Sequence, residues 1–138
     1  MKYRIAVGGC RYYNNYDVFC EFLDECFIQL DKKDITILSG KCSGVDNMAE
    51  RYAIEKGYDL ETYPAEWNKF GKSAGPKRNR IMAERADLVM VFWDYKSKGT
   101  KNLIEYATKF NKPVKIKDIT PPTSPSPHLS LPSGAICE

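Results

Sequence analysis

The stretch "ILSGKCSGVDNMAERYAIEKG", residues 37–57, begins as an apolar strand and ends as an amphipathic helix. Between the two lies a turn of small residues, 39–44, with one lysine in its middle. Gly57 suits the position just after a helix C-terminus, because glycine adopts the left-handed conformation at little cost. The stretch therefore predicts one strand–turn–helix unit, with its helix over 45–56.

The same unit recurs along the chain. Strand patterns cover residues 3–7, 35–38, 60–63, 88–92 and 114–116, and helical patterns cover about 17–30, 45–56, 76–86 and 100–112. We place Pro76 at the first position of its helix and Thr100 at the N-cap of the last one. Repeated strand–helix alternation predicts an α/β fold, a Rossmann-like three-layer sandwich. Its five-stranded parallel sheet should have the order 3-2-1-4-5, with helices on both faces.

The length of 138 residues and the 43% apolar content suit one domain with one core. From residue 118 the chain becomes rich in proline and serine, as in the segment "TPPTSPSPHLSLPSG", and it shows no helical or strand periodicity. We therefore predict a domain over 1–117 and a Pro/Ser-rich disordered tail over 118–138.

Nothing in the chain resembles a membrane span or a signal peptide. The five cysteines lack the CxxC spacing of a metal site, and the only histidine, His128, lies in the tail. We expect reduced thiols, a cytoplasmic protein, no membrane partner, and neither a metal nor a cofactor.

Positive charge is concentrated in one part of the chain. Residues 69–101 carry nine Lys or Arg against three acidic residues, although the net charge of the whole chain is only +3. This excess favours an anionic ligand, either a small phosphate compound or nucleic acid, over an ordinary solvated basic surface.

The candidate ligand-binding residues follow the strands, where open parallel sheets bind ligands. They are Gly8, Gly9 and Arg11 after the first strand; Ser39, Gly40, Ser43, Gly44 and Asp46 after the second; Trp67, Gly75, Arg78 and Asn79 after the third; and Ser97, Gly99 and Thr100 after the fourth.

Each kind of residue suggests a role. Glycines let the backbone approach a ligand closely, and small hydroxyls with helix N-terminal amides can donate to phosphate oxygens. Asp46 either caps its helix or accepts hydrogen bonds from ribose hydroxyls. We choose Arg78 over Arg80 as the anion clamp, because the two point about 200° apart and Arg78 should lie in the first helical turn. Trp67, Tyr12 or Tyr13 either stacks a base or packs against the protein.

Four segments resemble the SLOG superfamily, in the right order and over about residues 2–116. They are "VGGCRYY", "LSGKCSGVDNMAERYA", "YPAEWNKFGKSAGPKRNRIMAERADLVMVFWD" and "SKGTKNLIEYA". The superfamily includes the Lonely Guy phosphoribohydrolases and the DNA-processing recombination mediators, and this chain looks most like a small stand-alone branch of bacteria and phages. The resemblance implies a Rossmann-like fold, a nucleotide crevice and, in many members, a homodimer.

The Lonely Guy motifs match only in part. Their arginine segment resembles "RNRIMAERAD", which implies a catalytic role for Arg78. Their glycine-rich motif matches only at Gly99-Thr100, and their catalytic glutamate falls on Leu103. If the chain is an enzyme, another acid must act, either Asp46, Glu66 or Asp94, because N-glycosidic cleavage requires a carboxylate.

Three functions therefore stay open. The preferred one is binding of a nucleotide or a nucleotide-derived ligand, such as a nucleoside phosphate, an ADP-ribose or NAD-like compound, or a cyclic nucleotide signal. The alternatives are hydrolysis of an N-glycosidic bond in a nucleoside monophosphate or NAD-like substrate, and binding of single-stranded DNA. The DNA alternative is disfavoured because nonspecific nucleic-acid binders are usually more basic than +3.

Overall fold

A computed structural model describes residues 2–120 of the chain. It contains one five-stranded sheet in which all neighbouring strands are parallel, with the order β3-β2-β1-β4-β5. The strands are β1 Tyr3–Gly9, β2 Ile35–Ser39, β3 Asp59–Thr62, β4 Leu88–Trp93 and β5 Val114–Asp118. The predicted sheet order is confirmed.

Five α-helices follow the strands or lie in their connections: α1 Tyr16–Phe27, α2 Val45–Lys56, α3 Trp67–Phe70, α4 Ala74–Arg85 and α5 Lys98–Lys109. The predicted bounds of α2 are confirmed, and Gly57 adopts the left-handed conformation at its end, where its N–H donates to Ala53 O. The short helix α3 was not predicted, because its four residues lack a helical stripe.

Helices α1, α4 and α5 differ from the prediction at their ends. The first helix stops at Phe27 instead of about residue 30, and Leu30 is 39% exposed. Helix α4 begins at Ala74, so Pro76 is its third residue instead of its first. The N–H groups of the first turn have no partner within the helix, so proline is tolerated at any of these positions. The proline alone therefore could not determine at which residue the helix begins. Helix α5 begins at Lys98, and Thr100 is its third residue instead of its N-cap.

Alternate side chains of the central strands pack against opposite layers. In β4, Met90 and Phe92 pack with α1 and α2, whereas Val89 and Val91 pack with α4 and α5. A strand covered on both sides needs an unbroken apolar run, and "LVMVF" provides one. The sheet therefore has a buried core on each face.

Strand β5 continues to Asp118, one residue beyond the predicted domain boundary, and Ile119 N–H donates to Trp93 O at 3.0 Å. The rest of the predicted tail, from residue 121, lies outside the described residues. None of the helices within 2–120 is long and apolar enough to cross a membrane.

Candidate functional site

A cleft of about 520 Å³ opens at the carboxyl ends of β1 and β4. The strand order reverses between these two strands, which is the usual ligand-binding position in open α/β sheets. Nine of the predicted residues line this cleft: Gly8, Gly9, Arg11, Asp46, Arg78, Asn79, Ser97, Gly99 and Thr100. Six others do not: Ser39, Gly40, Ser43, Gly44, Trp67 and Gly75.

The N-terminus of α5 forms one wall of the cleft. The buried carboxylate of Asp94 accepts hydrogen bonds from the N–H groups of Lys96 at 2.9 Å and Ser97 at 2.8 Å, and these bonds turn the chain into the helix. Among the described residues, no side chain caps the helix start. Because the first N–H groups of a helix have no carbonyl partner within it, the amides at 98–100 are suited to hold an anion.

The turn after β2 uses two of its amides within the protein. Ser39 Oγ accepts from Lys41 N–H at 3.3 Å and donates to Asp46 O at 3.2 Å. The carboxylate of Asp46 accepts from Cys42 N–H at 3.2 Å. The amides of Lys41 and Cys42 are therefore engaged by the side chains of Ser39 and Asp46, and the prediction that the other amides at the start of α2 contact a ligand stays a prediction.

The glycines of this turn are needed for packing. A Cβ on Gly40 would lie 2.4 Å from Arg78 Nη1 and 3.0 Å from Asp46 Oδ2. A Cβ on Gly44, where φ is +72°, would lie 2.2 Å from the carbonyl oxygen of Arg11. The small residues make room for a guanidinium and for a neighbouring loop, and not, as the sequence suggested, for the ligand itself.

The Arg78 guanidinium is held in place on the cleft wall. It donates to the carbonyl oxygen of Gly40, and its Nε donates to Asn79 Oδ1 at 2.9 Å. Both terminal nitrogens lie 3.7 Å from Cys42 Sγ. Arg78 lies in the second turn of α4 instead of the first, yet its side chain is long enough to bridge from α4 to the turn after β2.

Asn79 joins this guanidinium to the start of α5. Its Nδ2 donates to Gly99 O at 3.2 Å and to Asn102 Oδ1 at 3.0 Å, while its Oδ1 accepts from Arg78. The side chain is buried, and its hydrogen bonds fix the relative positions of the arginine and the helix. Asn79 therefore acts as a positioning residue.

Asp46 is the acidic group of the cleft. Burial raises its pKa from 3.8 to about 6, and the charge of Arg78 and the hydrogen bond from Cys42 N–H offset only part of this rise. A carboxyl with a pKa near neutrality can accept or donate a proton at physiological pH.

The remaining charged groups of the cleft are cationic. Arg11, Lys96 and Lys98 are exposed at its rim and add to Arg78, so cations outnumber the Asp46 carboxylate. Both lysines lie in "WDYKSKGT", the basic segment after the fourth strand, so the sequence could have identified them as candidates. The loop conformation that directs them to the cleft could not be predicted. The arrangement attracts anions.

The aromatic residues predicted to stack a base lie elsewhere. Trp67 covers Gly75, where a Cβ would lie 3.2 Å from the indole ring. Tyr13 stacks on Phe92 at a centroid distance of 5.8 Å. Tyr12 donates through its hydroxyl to Asp94 Oδ2 at 3.1 Å. These contacts favour the packing role that the sequence left open.

The parallel sheet of order 3-2-1-4-5 with helices on both faces defines a Rossmann-like domain. Residues 3–70 match a family model described as "YAcAr: YspA, cpYpsA-related SLOG family". The chain belongs to the SLOG superfamily.

Two solved structures share this fold. DNA processing protein A from Streptococcus pneumoniae has a TM-score of 0.66 at 21% identity, and the match covers 83% of this chain and 50% of that one. DNA processing protein A from Helicobacter pylori, described in a study of its single-stranded DNA binding mode, has a TM-score of 0.60 at 20% identity. This match covers 83% of this chain and 64% of the Helicobacter pylori protein. The chain thus spans about half to two thirds of these proteins. No curated protein matches it in sequence.

Proposed function

We propose that the cleft binds a nucleotide or a nucleotide-derived phosphate compound, such as a nucleoside phosphate, an ADP-ribose or NAD-like molecule, or a cyclic nucleotide. The observation that carries the proposal is the start of α5, where no described side chain caps the helix beside Arg78. A helix N-terminus attracts anions through its amides and its dipole. Membership of the SLOG superfamily supports the same ligand class.

In this proposal the phosphate lies against the amides of residues 98–100. The hydroxyls of Ser97 and Thr100 form a hydrogen bond with each other at 3.3 Å, and the one that accepts in this bond can donate its own proton to the phosphate. Arg78 adds a planar guanidinium, which suits two phosphate oxygens at once. Asp46 accepts a hydrogen bond from a sugar hydroxyl, and a volume of about 520 Å³ is in the usual range for a small-ligand site.

The floor of the cleft is backbone at Gly8 and Gly9. A Cβ on Gly8 would lie 2.9 Å from Leu103 Cδ2, and one on Gly9 would lie 2.6 Å from Phe92 O. Side chains at these positions would clash with the neighbouring strand and helices. A ligand on this floor therefore meets peptide groups and the apolar Leu103.

Calorimetric titration with nucleoside monophosphates and ADP-ribose tests the proposal. Arg78→Ala should weaken binding of the best ligand by about 1.5–3 kcal/mol, or roughly 10- to 150-fold in Kd, the range for hydrogen bonds to charged groups. Arg80→Ala is the matched control, because Arg80 is exposed on the same helix and does not line the cleft. Equal affinity in the two variants would contradict the assignment of Arg78.

Because Arg78 also supports the turn after β2, a second variant separates binding from folding. A Cβ on Gly99 would have no heavy atom within 4 Å, so Gly99→Ala should leave the fold intact. The added methyl group should still obstruct a phosphate held against this amide. Unchanged affinity in Gly99→Ala would count against the α5 site.

Hydrolysis of an N-glycosidic bond is a second candidate function. The pKa of about 6 for Asp46, in the cleft, favours it. Leu103, which corresponds to the Lonely Guy catalytic glutamate, also lines the cleft, so any hydrolysis needs this other acid. Incubation with NAD, ADP-ribose and nucleoside monophosphates, followed by chromatography for released base, tests it. Saturable binding without release would favour the binding function.

Single-stranded DNA binding is a third candidate. The exposed cations at the rim of the cleft favour it, as does the fold shared with DNA processing protein A. Binding of an oligonucleotide would weaken steeply with salt, because each neutralised phosphate releases a counterion. A shallow salt dependence, like that of a mononucleotide, would argue against this candidate.

A further inference from the structure

A second cavity, here called the α4 pocket, lies between α4 and the segment that follows β3, and its volume is about 290 Å³. Most of its lining is apolar or aromatic: Tyr63, Pro64, Phe70, Ala74 and Ile81. The side chain of Ile81 is 42% exposed. Because the volume is slightly below the usual range of small-molecule sites, the α4 pocket suits an apolar side chain of another protein chain.

Cations surround the α4 pocket. The Nζ atoms of Lys69 and Lys77 lie 5.1 and 5.0 Å from the centroid of the Phe70 ring. The Arg85 guanidinium lies 5.6 Å from the centroid of the Tyr63 ring. Both lysines are exposed, so they can pair with acidic groups of a partner. The pocket therefore fits an apolar side chain that has carboxylates beside it.

The chain itself carries such a segment at the end of α1. Ile28 directly follows this helix and, at 80% exposure, is the most exposed large apolar side chain among the described residues. Asp24 and Glu25 precede it by four and three positions, and therefore lie on the same side of the helix. Asp31 pairs with Lys33 at 3.8 Å, so Asp24 and Glu25 are the carboxylates available beside Ile28.

Ile54 on α2 is almost as exposed, at 75%, but the charges around it are mixed. Arg51, three positions before it, forms an ion pair with Glu55 at 2.9 Å, and Lys56 follows two positions after it. This surface has no acidic excess to match the cations of the α4 pocket. Charge complementarity therefore favours Ile28 as the side chain that the pocket accepts.

We propose that Ile28 of one copy of the chain inserts into the α4 pocket of a second copy, with Asp24 and Glu25 beside Lys69 and Lys77. Helix α1 runs back from the carboxyl end of β1, whereas the α4 pocket follows the carboxyl end of β3. The two patches thus lie at opposite ends of the sheet and cannot meet within one chain. The contact is head-to-tail, and it produces rings or open chains of copies.

Sedimentation equilibrium of the 138-residue chain tests the proposal. The average mass should rise with concentration up to about 1 mM protein, and less so at high salt, because salt screens the charges. Ile28→Gln should weaken association about 10- to 150-fold, the effect of leaving one apolar side chain unburied. Ile54→Gln is the matched control and should associate like the wild type. A wild type that stays monomeric at about 1 mM, or equal association of the two variants, would overturn the proposal.

A mixing experiment identifies the two halves of the contact. Ile81→Glu places a negative charge in the α4 pocket but keeps Ile28, whereas Ile28→Gln keeps the pocket. Both substituted side chains are exposed, and circular dichroism checks that both variants fold. Each variant alone should be largely monomeric where the wild type associates, and their equimolar mixture should form one-to-one dimers and nothing larger. A mixture that stays monomeric, or that forms larger species, would show that association uses another surface.

Discussion

At the scale of single residues, Arg78 and Asp46 form the charged centre of the cleft. They approach each other over Gly40, where only a hydrogen atom in place of a side chain leaves enough room. The burial of Asp46 outweighs the favourable charge of Arg78, because its pKa is raised instead of lowered. The carboxylate therefore costs stability, and such a cost at a cleft is typical of a group kept for function.

This cost predicts the pH dependence of stability. The pKa of Asp46 is higher in the folded protein, at about 6, than its ordinary value of 3.8. Its contribution to the free energy of unfolding is therefore fully present below pH 3.8 and is lost as the pH rises through about 6. A pKa rise of this size corresponds to roughly 3 kcal/mol.

Asp46→Asn removes this titration, because an amide stays neutral and its oxygen can still accept from Cys42 N–H. The variant should match the wild type near pH 4 and exceed its free energy of unfolding by up to roughly 3 kcal/mol at pH 7.5. Urea unfolding at intervals of half a pH unit measures the difference in the free energy of unfolding between the variant and the wild type. The other titratable groups are the same in both proteins, so their contributions cancel in this difference. If the free energies of unfolding of the two proteins changed in parallel with pH, the pKa of Asp46 would be the same in the folded and unfolded states, which would contradict the prediction.

At the scale of elements, the junction between β2 and α2 is built by close backbone packing. Gly44 lies against the carbonyl groups of Cys10 and Arg11, and Val45 N–H donates to Cys10 O at 3.4 Å. The first two strand-to-helix loops thus support each other. The second loop uses the amides of Lys41, Cys42 and Val45 within the protein, and the proposed phosphate site is therefore placed at the start of α5.

The effect of this packing can be separated from that of backbone conformation. Gly44 and Gly57 both have positive φ, +72° and +80°, but a Cβ on Gly57 would meet no heavy atom within 4 Å. Gly57→Ala should cost roughly 1–2 kcal/mol, the conformational penalty alone. Gly44→Ala should cost at least about 3 kcal/mol, because its Cβ also meets the Arg11 carbonyl. Chemical denaturation measures both, and equal losses would mean that the loops can move apart.

At the scale of the whole molecule, the sheet order and the helical layers could be predicted because they depend on periodicity within each segment. The bounds of α2 followed from one apolar stripe and one terminal glycine. The contacts of the cleft could not be predicted in this way. Gly40 meets an arginine 38 positions away, and Trp67 packs on Gly75 of the next helix. The left-handed backbone of Tyr95 leaves no mark in its local sequence.

The end of the described chain shows the same dependence on distant contacts. The composition predicted a boundary at residue 117, but the three residues that follow bind the end of β4. Ile119 N–H donates to Trp93 O at 3.0 Å, and its side chain packs against the core. Thr120 Oγ1 donates to Asp94 O at 3.4 Å. These bonds hold the β4–α5 loop.

Two truncated chains test this role, one ending at Lys117 and one at Thr120. Losing the Ile119 hydrogen bond and its apolar contact should cost roughly 1–2 kcal/mol, which corresponds to a Tm about 5–10 °C lower in the shorter chain. Calorimetric scans of both chains measure it, and residues 121–138 do not enter the comparison. Because the lost bonds support the β4–α5 loop, the shorter chain should also bind AMP more weakly. Equal Tm values would place the end of the folded domain at residue 117, as the composition suggested.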